Sequence, residues 1–194
     1  MKKLAIFSVV IFIVLLIVVI FCSKKVNNIN QSPVKIIQGL TGITNHMQIS
    51  SSAFGNAEKI PSKYTCDGTD ILPPLRISDV PSGAKSLAII MDDPDSPSGD
   101  FLHWMAWNIL PANTEIAEGK APGGAVEGKT DFGKTGYGGP CPSRGEHRYV
   151  FHLYALDTVL DLTPGADRSK LEAAIAGHVL EQAEFYGLYK RVGN

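Results

Sequence analysis

Cysteine is scarce in this sequence. Three residues in 194, at Cys22, Cys66 and Cys141, are too few for a small disulfide scaffold. An excess of one charge is also missing: 18 Lys and Arg stand against 19 Asp and Glu, a net of −1, which excludes a protein that coats nucleic acid. There is no internal repeat, and neither a G-x-G-x-x-G nor a Walker-type loop, so nucleotide binding finds no support. Nor is this the composition of a disordered chain, because 44% of the residues are hydrophobic. What remains is a chain of one- or two-domain length, most simply one, with enough apolar residues to form a core.

The one long hydrophobic run lies at the start. Lys2 and Lys3 precede apolar residues from Leu4 to Cys22, broken only by Ser8. At ~1.5 Å per residue such a run crosses most of a ~30 Å hydrocarbon layer. A cleaved signal peptide usually has a shorter apolar stretch and small residues before the cut, whereas Val19, Ile20 and Phe21 are bulky. The reading is an uncleaved N-terminal transmembrane helix over 4–22 behind a cytoplasmic 1–3, which makes the membrane a partner. Cleavage and secretion, or lipid attachment at Cys22, are the alternatives. Residues 23–46, with Asn27, Asn28, Asn30 and Pro33, read as a tether, and 47–194 as the folded domain, expected on the extracytoplasmic side. Cys66 and Cys141 could pair in such a compartment, but the sequence gives no distance between them.

Within the domain, Gly and Pro recur at short intervals between β-rich runs, which predicts a mainly β fold. Ser86 to Met91 is nearly all apolar, as in a strand buried on both faces. Phe101 to Leu110 and Arg148 to Leu156 are the other strong strands. One helix is expected where Ser169 and Glu172 form a capping-box pattern ahead of Leu171, Ala174 and Ile175, with Gly177 at its end. Residues 177–191 fit either a helix or a last strand, and the aromatic residues favour the strand.

Three polar clusters sit at the edges of these strands. Asp92-Asp93-Pro94-Asp95-Ser96-Pro97 ends the first, and period-2 alternation puts Asp93 in phase with Leu87, Ile89 and Met91. A solvated acidic turn is the bland alternative. His103 lies inside the aromatic strand, in phase with Met105, Trp107 and Ile109; alone, it reads equally as a hydrogen-bonded core histidine. The third cluster runs from Gly136 through Gly138, Gly139, Pro140 and Cys141 to His147 and Tyr149. Its glycines let backbone N–H groups converge on an anion, and His147 and Tyr149 share a strand face. Arg148 and His152 point the other way, as structural or surface groups.

Asp93-Pro94-Asp95-Ser96-Pro97, then His103-Trp104-Met105-Ala106-Trp107-Asn108, then Gly139-Pro140 and His147-Arg148-Tyr149 resemble the phosphatidylethanolamine-binding protein family, which includes Raf kinase inhibitor protein. Lys63 to Gly68, Asp131 to Gly138 and Tyr154 to Asp157 look like its bacterial and archaeal branch. The resemblance runs from about Met47 to Arg191. It implies a large central antiparallel sheet, a smaller second sheet and a few short helices. It also implies a small cavity for phosphate, phosphate-like anions or a phospholipid headgroup, formed by Asp93, His103, His147 and Tyr149. Asp95 and Gly138-Gly139-Pro140 would shape the rim. Ser143 stands where the family often has a second proline, and Arg144 adds a cation after it.

The chemistry agrees with that implication. A phosphate needs several donors within ~2.7–3.1 Å, stronger when charged. Two histidines supply such donors when protonated, near an ordinary pKa of ~6.5. Ionised Asp93 cannot donate, so its role is to hold an imidazole tautomer or to accept a proton carried by the phosphate. The expected function is non-enzymatic anion or headgroup binding without metal or cofactor, with kinase- or protease-inhibitor-like regulation of an unidentified partner protein allowed by family analogy. The alternative is a hydrolase that uses the His/Asp pocket or a Cys141 thiol.

Overall fold

The computed structural model describes residues 46–191, which lie in the compact unit Thr44–Asn194. Strand β1 spans Gln48–Ser51 and a single 3-10 turn follows at Ser62–Tyr64; then come β2 (Leu75–Ser78), β3 (Ser86–Asp93), β4 (Phe101–Ile109) and β5 (Thr114–Ile116). β6 (Val126–Glu127), β7 (His147–Leu156), helix α1 (Arg168–Ile175) and β8 (Val179–Tyr189) complete the order. The strands form a three-stranded sheet, β1-β2-β5, and a five-stranded sheet, β6-β4-β3-β7-β8, and every pairing is antiparallel. The expected mainly β fold with two sheets is therefore present, and 177–191 does end in a strand.

Every residue of β3 is buried, because both faces of this central strand are covered. Leu87, Ile89 and Met91 pack on one side with Ile49, Leu75, Ile77 and Ile116 of the small sheet. Ala88 and Ile90 pack on the other with Met105, Trp107 and, from α1, Leu171 and Ile175. The domain thus has three layers: small sheet, large sheet, helix. The helix cap lies two residues before the expected one, since Asp167, not Ser169, accepts the Lys170 N–H at 3.0 Å.

One part of the expected fold class is corrected. It included an N-terminal transmembrane helix, but no helix among the described residues is long and apolar enough to cross a membrane. Helix α1 has eight residues, about 12 Å of rise. The segment read as a span, 4–22, and nearly all of the tether lie outside the described residues.

Candidate functional site

Three strand ends meet at one end of the large sheet. β3 contributes Asp93 as its last residue, β4 contributes His103 near its start, and β7 opens with His147. The three side chains line one cavity of about 300 Å³, together with Phe101, Phe132 and residues of the 96–98 and 141–143 loops. Alternation correctly puts Asp93, His147 and Tyr149 on the side facing the small sheet.

His103 reaches that side by a different route. Continued period-2 alternation would keep it with Met105 and Trp107, which pack on the helix side. Between Met91 and Asp92 the β3·β4 register slips: Met91 pairs with Trp104, but Asp92 pairs with Leu102. His103 is the extra residue of that β-bulge, and the bulge turns its ring toward the cavity. The expected phasing of His103 with Met105, Trp107 and Ile109 is corrected accordingly. A second slip, between Leu87 and Ile89, lets Ile109 rejoin the core facing the small sheet.

Both imidazoles are fixed through Nδ1. His147 Nδ1 donates to Asp93 Oδ2 at 2.8 Å, and His103 Nδ1 donates to the Gly138 carbonyl at 2.7 Å. Among the described residues neither Nε2 has a protein partner, so each ring presents its second nitrogen to the cavity. The other oxygen of Asp93 accepts the Asp95 N–H at 3.0 Å, which holds the carboxylate in place. Burial pulls the His103 pKa below its ordinary 6.5, against the opposing pull of the Gly138 carbonyl and the Asp93 charge.

Tyr149 lies behind His103. Its ring meets the imidazole edge-on, with centroids 5.1 Å apart and planes at 89°. Its hydroxyl is buried, and among the described residues no partner meets it in full hydrogen-bond geometry. Burial first, then the Asp93 charge, pushes the phenol far above the ordinary tyrosine range, so it stays a neutral donor.

The glycine stretch acts through packing and its carbonyl. Gly138 N–H donates to the His103 carbonyl at 3.1 Å, and Gly139 N–H donates to Asp70 Oδ1 at 2.7 Å. Those two donors are therefore committed within the protein. A Cβ on Gly138 would lie 2.5 Å from the Phe132 ring, which is why this wall needs glycine. Asp95 is a clamp: its carboxylate takes Arg148 Nε at 2.8 Å and Nη2 at 2.6 Å, and the Arg148 N–H at 2.9 Å. Arg148 holds the Asp95 carboxyl down to about 2. The pair ties the turn after β3 to the start of β7 and so fixes the spacing of Asp93 and His147.

Sequence reasoning missed several contributors. Phe132 packs edge-on against Phe101 at 5.0 Å and His103 at 5.2 Å, and is 41% exposed at the mouth. Its only sequence cue is its place between the turn glycines of the Asp131–Gly138 string. Asp70 carried no cue. Arg148, expected to be a structural or surface group, is a structural one: it is the partner of Asp95, a pairing that no local pattern in the sequence announces. Arg144 is exposed and does not line the cavity.

Cys141 lines the cavity and is bonded to Cys66, with Cα atoms 5.4 Å apart. Its sulfur is thus not a free thiolate, and the thiol-nucleophile alternative loses its nucleophile. Among the described residues no group of three or more His, Cys, Asp or Glu is arranged to hold a metal ion.

The sequence profile described as phosphatidylethanolamine-binding protein matches residues 50–190. A UPF0098 protein of Pyrococcus horikoshii is 55% identical over 150 residues, covering 73% of this chain and 75% of its own length. One from Methanothermobacter thermautotrophicus is 51% identical over 150 residues, covering 75% of this chain and 99% of its own. Among solved structures, a phosphatidylethanolamine-binding protein homologue from Chlamydia trachomatis superposes with a TM-score of 0.74 at 42% identity, over 76% of this chain and 99% of that one. An Escherichia coli structure titled as a new member of the mammalian family superposes with a TM-score of 0.70 at 29% identity, over 76% and 99% of the two chains.

Proposed function

Because the chain belongs to the phosphatidylethanolamine-binding protein family, we propose that its cavity is a non-enzymatic binding site for a phosphate-like anion, including the phosphate of a phospholipid headgroup. The observation that carries this reading is the pair of imidazoles, each committed through Nδ1 and each left with a cavity-facing Nε2. Protonated, the two rings offer two charge-assisted donors to one anion. Phe101 and Phe132 beside them form an apolar wall that lowers the local dielectric and strengthens those bonds. The buried Tyr149 hydroxyl supports a further donor beneath His103. Asp93 orients His147 and can take a proton brought in by a phosphate monoester.

The test is calorimetric titration of inorganic phosphate and of phosphoethanolamine between about pH 5.5 and 8.5, across the histidine range. Affinity is expected to rise as pH falls below 6.5, where His103 gains its proton against the cost of burial. His103→Ala and His147→Ala should each weaken binding by roughly tenfold or more, the value of one charged hydrogen bond. Affinity that stays flat with pH and survives both substitutions removes the imidazoles from the site.

A further inference from the structure

We infer that Asp70, which does not line the cavity, is a positioning residue of the anion site and acts on His103 through one peptide group, the one that joins Gly138 to Gly139; this rests on the anion-site reading above and concerns how that site is tuned.

Both ends of this peptide are engaged. Its carbonyl accepts His103 Nδ1–H at 2.7 Å, and its N–H donates to Asp70 Oδ1 at 2.7 Å. The bond is trans, so its C=O and N–H point in opposite directions and the peptide stands between carboxylate and imidazole. Both distances are at the short end for N–H···O bonds, which usually measure ~2.9–3.0 Å. A carboxylate partner shortens such a bond. Hydrogen bonds in a chain also polarise one another, so the charge acting on the N–H makes the carbonyl at the far end a stronger acceptor. His147 is held by Asp93 directly; His103 is held by Asp70 at one remove.

The fold keeps Asp70 in this place against local preference. Its φ of 57° lies in the left-handed region, which aspartate tolerates but which the surroundings must maintain. Its N–H donates to the Lys63 carbonyl at 3.1 Å, and the Cys66 N–H, donating to the Pro140 carbonyl at 3.1 Å, fastens the same segment to the glycine stretch. A Cβ on Gly139 would lie 2.5 Å from Asp70 Oδ1, so glycine at this position is what lets the carboxylate come close.

The consequence falls on the proton of His103. Burial lowers its pKa, and the first group to oppose burial is the Gly138 carbonyl, ahead of the Asp93 and Asp92 charges. Tyr149, edge-on to the ring, stays neutral. His147 lines the same cavity and adds a second cation when protonated, and Lys134 stands 5.7 Å from the centre of the Phe132 ring that packs on His103. Against these groups, a stronger acceptor at Nδ1 stabilises the imidazolium. It also fixes the Nδ1–H tautomer of the neutral ring and leaves Nε2 to the cavity.

The His103 and His147 imidazoles are titrated by nuclear magnetic resonance, without phosphate, in wild type, Asp70→Asn and Asp70→Gly. Inorganic phosphate is then titrated calorimetrically into each at about pH 7, above the ordinary histidine midpoint. Asparagine keeps the acceptor oxygen and removes the charge; glycine removes both and suits the left-handed backbone. In Asp70→Asn the His103 midpoint is expected to fall by roughly half a pH unit, with His147 unmoved. Phosphate affinity should fall about threefold, the same half unit written as a ratio of protonated ring. In Asp70→Gly the neutral His103 should also lose its preference for the Nδ1–H tautomer, read from the ring nitrogen shifts. His103 titrations that superimpose in wild type and Asp70→Asn overturn the inference. So does a shifted titration with unchanged phosphate affinity, because Asp70 would then reach the ring but not the site. Wild-type protein that binds no phosphate defeats the anion-site reading instead, and the phosphate-free titrations still decide whether Asp70 acts on His103. If circular dichroism shows that glycine unfolds the domain, the asparagine comparison decides alone.

Discussion

Asp92 and Asp93 are consecutive on β3, yet their carboxylates are buried on opposite faces of the large sheet and serve different partners. Asp93 meets His147 at 2.8 Å on the cavity side. Asp92 accepts from Arg168 Nη2 at 2.9 Å and His152 Nε2 at 3.2 Å on the helix side. One carboxylate orders the binding site and the other docks α1. Asp92→Ala should therefore destabilise the domain by roughly 3 kcal/mol, because Arg168 and His152 lose a buried partner, and leave phosphate affinity within about twofold. Asp93→Ala should weaken phosphate binding about tenfold, because His147 loses the group that orients it. Urea unfolding and calorimetry on both variants check the division, and a Asp92→Ala variant as weak in binding as Asp93→Ala would contradict it.

His152 on the helix side and His103 on the cavity side are shifted in opposite senses. The hydrogen bond that His152 donates to Asp92 raises the histidine's pKa above 6.5, with the Asp92 and Glu184 charges adding to it. Its stabilisation is complete below pH 6.5, and it fades as pH rises through the raised value. Burial lowers the His103 pKa below 6.5, so there the unfolded chain binds the proton first and stability falls as pH drops below 6.5. His152→Gln should flatten the alkaline limb of unfolding free energy against pH, and His103→Gln the acid limb just below neutrality. Superimposable profiles for wild type and both variants would show that neither ring is linked to folding.

The Asp95–Arg148 clamp extends the argument to acid. The Asp95 carboxyl is held at about 2, against an ordinary 3.8, by its hydrogen bonds to Arg148. A lowered carboxyl pKa stabilises above the unfolded value and is lost as pH falls through the folded one. Stability contributed by the clamp should disappear between about pH 4 and 2, and Asp95→Asn should lack that loss. The pair is partly exposed, so its effect should also shrink in high salt. Urea midpoints at several pH values, with and without salt, read both.

Much of this was legible in the chain. β3 and β7 keep strict alternation up to Asp93 and from His147 on, so the facing of Asp93, His147 and Tyr149 follows from counting by two. His103 could not be oriented that way. A bulge belongs to the pairing of two strands, and nothing in Leu102-His103-Trp104 announces it. The use of the Gly138 and Gly139 N–H groups was equally hidden, because it depends on where the 62–70 segment packs, and no local pattern encodes that. Composition marked the loop as able to approach a partner closely; tertiary packing decided that the partner was Asp70 and Phe132.

Asn108 offers a test of the second bulge. It is the residue that breaks alternation between Ala106 and Ile109, and its φ of 58° lies in the left-handed region. Asparagine tolerates that region better than other side chains. Here its amide is also used twice: Nδ2 donates to the Leu160 carbonyl at 2.9 Å, and Oδ1 accepts the Leu160 N–H at 2.8 Å. Asn108→Ala loses both bonds and adds backbone strain, an expected cost of about 3 kcal/mol. Asn108→Gly loses the same bonds but relieves the strain, so it should cost about 1 kcal/mol less. Both sit at the end of β4 away from His103, so phosphate affinity should be retained in each. If alanine proves no worse than glycine in urea unfolding, the left-handed backbone is not what holds asparagine at this position.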